Sequence, residues 1–471
     1  MKVVPGPRLL VVLALAAFAV LAAGFLPGSA PIGAQSIDVY VLTAAGQWGP
    51  RHDAAVAAAG GTVSYSHGKA GIGIVTSPFP DFLAEALASG AFSRGARDMT
   101  VMWQPPIRES GVLEAAVTPV DETFINLQWN IKAVEAEGAW AAGFTGQGAR
   151  VAVVDGGIYT DHLDLAGRVD MAHSKSFVPG FAFNTDTGTF WHATHVAGII
   201  AANDNGIGTI GIAPEATIIG VKVLHSGSGS FGAVISGILY AATPIEEGGA
   251  GADIINLSVG AAFARGGGNT GAGILVAALN KAVNYAGQQA LVVSAAGNNA
   301  IDLDHSGSLI MVPAMSGSGI AVSATGPLGY AVGYPDGATN FRRPASYTNY
   351  GSSLVSLAAP GGEDVLPGTD LCTVPRVPSG VVTTQCWVFD MVMSTVRGSG
   401  ASVSSYSWAE GTSMAAPAVS AVAALVKQRF PKFSVARLKT WLASTADDEG
   451  RVGHDPYYGH GFVNARRAVT E

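Results

Sequence analysis

The sequence predicts an α/β protein with a mainly parallel central sheet, helices on both faces of that sheet, and a small α+β domain in front of it. Six apolar runs after residue 146 are nearly continuous rather than alternating, which is typical of strands buried on both faces. Segments of helical length lie between these runs, as crossovers between parallel strands require. The runs lie at residues 151–154, 216–224, 253–259, 290–295, 319–324 and 354–360.

The N-terminus is predicted to be a secretory signal peptide, residues 1–34. Lys2 and Arg8 precede a 17-residue apolar stretch, and small residues follow it up to Ala34. The stretch is slightly short for a membrane span, so removal is favoured over a retained anchor. We therefore expect a secreted protein with no stable membrane anchor after signal removal.

Residues 36–102 are predicted to form the small α+β domain. Strand patterns at 37–42, 62–65 and 71–76 alternate with helix patterns at 51–59 and 82–88. Weaker signals follow, so the predicted organisation continues with a linker at 103–122 and the large α/β domain at 123–471.

Composition limits the partners and the redox state. The 34 acidic residues outnumber the 26 basic residues, giving a net charge of −8, which argues against nucleic acid as the main partner. The two cysteines, Cys372 and Cys386, enclose a short loop. In an exported protein a disulfide between them is expected, with two free thiols as the alternative.

Candidate site residues follow two of the predicted strands. Ligands of open parallel sheets bind at the carboxyl ends of the strands. Asp155 comes directly after the first strand, before two glycines, and Asn298 follows the strand at 290–295. Each also fits an ordinary turn residue, so neither is decisive alone.

Two further candidates stand at the start of small-residue helices. His192 opens the sequence HATHVAG, in which the two histidines are three residues apart. The helical zinc pattern needs a spacing of four with a glutamate between, so zinc is disfavoured, and a buried structural histidine is the alternative. Ser413 lies in GTSMAAP, where it is either only a helix cap or a nucleophile at the positive end of a helix dipole.

The order Asp, His, Ser along one α/β sheet is one of the three known chain orders of the serine-protease triad. With these residues in this order, the chain resembles the subtilisin-like serine proteases, the subtilase family, over residues 125–471. The motifs that carry the resemblance are DGG at 155, HATHVAG at 192, AAGN at 295, GTSMAAP at 411 and GHGFVNARRA at 459.

The resemblance implies a three-layer subtilisin-like domain and a secreted serine endopeptidase that works through an acyl-enzyme. Ser413 would be the nucleophile, His192 its base, Asp155 the residue that orients His192, and Asn298 an oxyanion donor. His195 would be a structural neighbour. A catalytically silent binding protein of the same fold is the alternative.

The resemblance also implies a cleft in which protein or peptide substrates bind as an added β-strand. Small residues around the cleft imply a roomy apolar pocket for the side chain before the cut. The implied substrate-binding residues are Ser226, Gly227, Ser228, Gly229, Ser258, Val259, Gly260, Ala295, Ala296 and Gly297.

A structural Ca²⁺ site is implied by the loop after the His192 helix, with a polar surface turn as the alternative. Oxygen ligands suit this hard cation. The implied ligands are the side chains of Asp164 and Asn205 and the carbonyl groups of Asn203, Ile207 and Thr209.

Residues 36–102 resemble the family's inhibitory propeptide. Such a segment would assist folding, block the cleft and then be cut away somewhere within residues 100–122, which makes the chain a zymogen and the propeptide its own inhibitor. Two features depart from the family pattern. Ala193 stands where a glycine is usual, and residues 361–410 are longer than usual and contain both cysteines.

Overall fold

The structure is a computed structural model that describes residues 36–104, 108–114, 122–268, 270–399 and 404–471. The predicted signal peptide, and residues 105–107 and 115–121 of the predicted linker, lie outside the described residues. Within the described ranges, no helix combines the length and apolar character needed to cross a bilayer.

The N-terminal subdomain (residues 38–97) is a four-stranded antiparallel sheet with two helices and a small core of its own. Its strands are in the order β2-β3-β1-β4. The predicted order of strand, helix, strand, strand and helix is present, and the short strand β4 was missed. The elements are β1 (Asp38–Thr43), α1 (Pro50–Ala58), β2 (Thr62–His67), β3 (Ile72–Ser77), α2 (Phe82–Ala88) and β4 (Arg94–Arg97).

The remaining strands build a large central sheet and several small sheets around it. They are β5 (Thr100–Met102), β6 (Glu109–Glu114), β7 (Arg150–Asp155), β8 (Lys175–Ser176), β9 (Thr217–Lys222), β10 (Ser228–Ser230), β11 (Ile254–Leu257), β12 (Ala261–Ala264), β13 (Leu291–Ala295), β14 (Leu309–Val312), β15 (Gly319–Thr325), β16 (Leu357–Pro360), β17 (Leu371–Pro375), β18 (Val381–Gln385), β19 (Val392–Val396) and β20 (Ser405–Ala409).

In the part of the chain that the structure describes, eight further α-helices and four short 3₁₀ helices connect these strands. The helices are α3 (Trp129–Ala133), α4 (Ala136–Ala141), α5 (His192–Ala201), α6 (Phe231–Ala242), α7 (Gly271–Ala286), α8 (Thr412–Arg429), α9 (Val435–Ser444) and α10 (Ala465–Thr470). The 3₁₀ helices are Ile125–Leu127, Leu163–Leu165, Ile245–Glu247 and Cys386–Asp390.

The central sheet has seven parallel strands in the order β16-β15-β13-β11-β7-β9-β8. All six apolar runs predicted as buried strands lie in it. Alternate side chains of β7 enter different cores: Val151 and Val153 pack with α5 and α8, whereas Ala152 and Val154 pack with α6 and α7. The predicted three-layer α/β architecture is therefore confirmed.

The N-terminal subdomain packs on α6 and α7, with Val41, Ile72 and Ile74 in the same core as those helices. Lys281 of α7 donates to the carbonyl of Ala44 at 2.9 Å. The carboxylate of Asp98 accepts from the Gly232 N–H, in the first turn of α6, at 3.1 Å. The subdomain and the large domain thus belong to one compact unit, residues 37–471.

Candidate active site

Asp155 and His192 meet at the carboxyl edge of the sheet, as the sequence predicts. Asp155 ends β7 and is fully buried, and His192 is the first residue of α5. His192 Nδ1 lies 3.0 Å from Oδ2 and 3.1 Å from Oδ1 of Asp155. A ring N–H that donates to this carboxylate leaves Nε2 as the basic atom of the imidazole.

Ser413 is the second residue of α8, at the end of the helix where backbone N–H groups are free to point at a ligand. Its hydroxyl donates to the carbonyl of Ser258 at 3.2 Å, and the Ser258 hydroxyl donates back to the carbonyl of Ser413 at 2.8 Å. His192 Nε2 is buried and has no hydrogen-bond partner among the described residues. The serine and the histidine are therefore near the same edge but not hydrogen bonded in this structure.

A residue from the predicted linker contacts the histidine–aspartate pair. The side-chain amide nitrogen of Gln104 lies 2.7 Å from Asp155 Oδ1 and 2.8 Å from His192 Nδ1. The carboxylate thus accepts from Gln104 in addition to the imidazole. Sequence reasoning placed Gln104 in a linker and missed this contact, because nothing in the local pattern links residue 104 to residues 155 and 192.

Residues 100–104, here called the cleft segment, run between the two predicted substrate-binding edges as an added strand. β5 pairs antiparallel with β10, and Val101 lies opposite Gly229. The Trp103 N–H donates to the carbonyl of Gly227 at 3.0 Å, and the Gly260 N–H donates to the carbonyl of Trp103 at 2.9 Å. The cleft can therefore hold an extended chain by main-chain pairing on both sides, which is how β-strand addition binds peptides.

Trp103 anchors the cleft segment. It is 1% exposed, and its ring lies 5.0 Å from that of Phe231 and 6.5 Å from that of Phe263. Its Nε1–H donates to the carbonyl of Gly229 at 2.9 Å. A buried tryptophan with a satisfied N–H is a large source of interface stability.

Asn298 lies beside Ser413 on the wall of a cavity of about 330 Å³. Its Oδ1 accepts from the Thr412 N–H at 2.9 Å and from the Thr412 hydroxyl at 2.7 Å. With that oxygen engaged, its N–H groups remain to donate into the cavity. Val259, Gly260, Ala295 and Gly297, all predicted substrate-binding residues, line the same cavity together with Phe263 and Met311.

Ala296 and Ser226, two of the predicted substrate-binding residues that do not line this cavity, have other surroundings. Ala296 is fully buried and is not on the cavity wall, and its carbonyl accepts from Asn349 Nδ2 at 3.0 Å. Ser226 lines a different cavity, together with Gln104 and His192, and its hydroxyl lies 2.7 Å from that of Thr187. Alternation along a strand end explains Ala296, because neighbouring residues face opposite sides.

Ala193 and His195, which the sequence singled out near His192, are both buried. Ala193 is fully buried in the core between the sheet and α8, so its methyl group packs inward rather than into the cleft. His195 Nε2 lies 3.1 Å from the carbonyl of Ser407. Burial lowers the pKa of His195 to about 3, so it is neutral and links α5 to β20.

The predicted calcium ligands surround one loop. Asp164 Oδ2 accepts from the Thr209 N–H at 3.0 Å, and Asp164 Oδ1 lies 3.3 Å from Asn205 Nδ2. Asn205 Oδ1 accepts from the Ile207 N–H at 3.1 Å. The carbonyl of Asp164 accepts from the Asn203 N–H at 2.7 Å.

Glu122, which the sequence placed at the end of the linker, belongs to the same cluster. Its Oε1 accepts from the N–H groups of Asn205 and Gly206 at 2.8 Å. Burial raises the pKa of Glu122 to about 8 and that of Asp164 to about 7. Two buried carboxylates at one loop form a site where a cation would be favourable.

Residues 146–461 match the model of the Subtilase family. The chain belongs to the subtilase family. It is 34% identical over 363 residues to the alkaline elastase YaB of Bacillus sp. (strain YaB), which covers 76% of this chain and 75% of the relative. It is 35% identical over 346 residues to Subtilisin Savinase of Lederbergia lenta, covering 73% and 99%. A protease from Pseudoalteromonas arctica PAMC 21717 has a similar solved structure, with a TM-score of 0.56, 26% identity and coverage of 75% of this chain and 99% of the other. This subtilase is thus a subtilisin-type serine endopeptidase by family, as predicted.

Proposed function

We propose that this subtilase hydrolyses peptide bonds with Ser413 as nucleophile, His192 as general base and Asp155 as the residue that orients His192. The observation that carries the proposal is the bond between His192 Nδ1 and the buried carboxylate of Asp155 at 3.0 Å, beside the start of the Ser413 helix. The carboxylate fixes the tautomer that leaves Nε2 basic and stabilises the imidazolium that forms. Nε2 then takes the proton of Ser413 and passes it to the leaving amine.

Asn298 and the backbone N–H of Ser413 would hold the oxyanion of the tetrahedral intermediate. The engaged Oδ1 of Asn298 supports this role, because it turns the amide N–H groups toward the cavity next to Ser413. Donors fixed in advance stabilise developing charge without reorganising during the reaction. The apolar walls of that cavity favour an apolar side chain before the cut.

The protein is proposed to be a secreted zymogen, with the N-terminal subdomain and the cleft segment as its own inhibitor. The cleft segment occupies both substrate edges, Trp103 is buried between them, and Gln104 contacts Asp155 and His192. In this state His192 Nε2 does not bond Ser413. Removal of the segment would open the cleft to substrate and end the contact of Gln104 with Asp155 and His192.

A structural Ca²⁺ is proposed at the loop of residues 203–209. The available donors are oxygen atoms, and a bound cation would displace the protons of two buried carboxyl groups, Asp164 and Glu122, whose charged forms are otherwise disfavoured by burial. Asp164 and the carbonyl groups of Asn203, Ile207 and Thr209 would hold it, and Asn205 would join them after turning its amide over. The ion would stabilise the loop that follows α5 and hence the position of His192.

The test is covalent labelling of the secreted protein with a fluorophosphonate, which reacts with an activated serine. We expect one label, located at Ser413 by peptide mass mapping, and loss of both label and peptide hydrolysis in Ser413→Ala. Ser420→Ala is the matched control, since Ser420 lies on the same helix and bonds Asn256 instead. A label on another serine, or hydrolysis that survives in Ser413→Ala, would contradict the proposal.

A further inference from the structure

The chain continues beyond the cleft segment on the other side of Ser413. β6 pairs antiparallel with β20, and Glu109 lies opposite Ala409. The Glu410 N–H donates to the carbonyl of Arg108 at 3.3 Å, three residues before Ser413 along the chain. Since Gln104 contacts the histidine–aspartate pair and Arg108 is already paired past the serine, Arg108 lies on the side of the cleft that would hold the leaving half of a substrate.

The side chain of Arg108 is bound there by residues of the 361–410 segment. Its guanidinium forms an ion pair with Asp364 and lies 3.9 Å above the centre of the Trp387 ring. The stack uses the flat face of the guanidinium, which a lysine ammonium lacks. Trp387 directly follows Cys386, whose disulfide to Cys372 ties its turn to the β17–β18 hairpin.

Three acidic side chains lie close together beside Arg108. Side-chain oxygens of Glu363, Asp364 and Glu410 lie within 4.8 Å of one another. Glu363 is already held by Arg343 at 2.9 Å and by the hydroxyl of Ser346 at 2.8 Å. By contrast, Glu410 Oε2 is buried without a hydrogen-bond partner among the described residues. A basic group at the position of Arg108 reduces the repulsion between these carboxylates.

We infer that Asp364, Glu410 and Trp387 form a binding subsite for a basic side chain, arginine before lysine, on the leaving-group side of the cleft. The inference rests on the proposed function, because it assigns a sequence preference to the same cleft. The subsite also gives the long 361–410 segment a role, since that segment supplies all three residues. The preferred substrates are peptides with arginine shortly after the cut bond.

The experiment uses enzyme matured from the full-length protein and a mixture of synthetic peptides with randomised positions. Mass spectrometry reads the cut sites, and the frequency of arginine at each of the first three positions after the cut is compared with its frequency in the mixture. An exposed ion pair and a cation–π stack together predict an enrichment of roughly three- to thirtyfold at one position, with lysine lower and glutamate depleted.

The double variant Asp364→Asn, Glu410→Gln should bring the arginine enrichment close to one. Asp370→Asn is the matched control, because Asp370 lies in the same segment, is exposed and makes no side-chain hydrogen bond among the described residues; it should keep the wild-type enrichment. The subsite would be overturned if the wild-type enzyme showed no arginine enrichment after the cut, or if the enrichment survived in the double variant. Neither result would contradict the proposed peptidase function. If no peptide is cut at all, the proposed function fails first, and the subsite with it.

Discussion

Replacing Trp103 by alanine should release the N-terminal region, the proposed inhibitor, from the cleft. Trp103 is 1% exposed and is enclosed by Phe231 and Phe263. A buried tryptophan covers about 200 Å², which corresponds to about 5 kcal/mol at 25 cal/mol per Å² as an upper bound. Its hydrogen bond to Gly229 adds about 1 kcal/mol.

Part of that energy is recovered, because water enters the emptied pocket and the cleft relaxes. We therefore expect a loss of about 3 kcal/mol, or roughly a hundredfold weaker inhibition, within the range of interface anchor residues. The assay is inhibition of the mature enzyme by an added polypeptide of residues 36–104, with and without Trp103→Ala. Trp103 lies outside the core of the N-terminal subdomain, so the folding of that subdomain is unaffected.

Two control variants separate the contribution of the Trp103 ring from those of its N–H group and of a neighbouring side chain. Trp103→Phe keeps an aromatic ring but loses the N–H, so inhibition should weaken by about fivefold. Met102→Ala removes a side chain that is 50% exposed, so the change should stay under about threefold. If Trp103→Ala inhibits within threefold of the wild-type polypeptide, the reasoning that places the anchor in this pocket is refuted.

Three further predictions follow from other contacts. Acidification from pH 7.5 to 5.5 should weaken inhibition by residues 36–104 more than inhibition by the same polypeptide with His67→Gln, because burial lowers the pKa of His67, which bonds Thr243 at 3.1 Å. Free His67 therefore binds a proton below about pH 6.5 that the bound form does not take up, so inhibition weakens by at most about tenfold per pH unit below that pH. Equal pH profiles of inhibition for the two polypeptides would refute this. Chelation with EDTA should lower the Tm by several degrees, and Asp164→Asn should remove most of that response; an unchanged wild-type Tm would contradict the calcium site. Asn298→Ala should lower kcat by about a hundred- to a thousandfold with little change in KM, and an unchanged kcat would exclude it as an oxyanion donor.

The central sheet could be predicted because its strands are buried on both faces, so burial is visible in the local composition. The run at 319–324 is an example: the structure has β15 at Gly319–Thr325, between β16 and β13 in the parallel sheet. By contrast, β4 contains two arginines in four residues. Its strand conformation depends on pairing with β1 at the edge of the sheet, which a local pattern does not reveal.

The same distinction holds for the site. Asp155, His192, Asn298 and Ser413 stand in short motifs, and the structure brings the aspartate and the histidine into contact. Three other residues contact partners that are about 50 or more positions away in the sequence: Gln104, Glu122 and Trp387. No local motif indicates these contacts, so they could be identified only in the folded structure.

The most direct test of the proposed triad is the intact mass of the protein after expression of the full chain, wild type against Ser413→Ala. A self-maturing protease predicts that the wild type loses its N-terminal region through a cut at one of the bonds between residues 104 and 108, while Ser413→Ala keeps that region attached. If Ser413→Ala is shortened at the same bond and at the same rate, another protease makes the cut, and Ser413 is not the nucleophile of its own maturation.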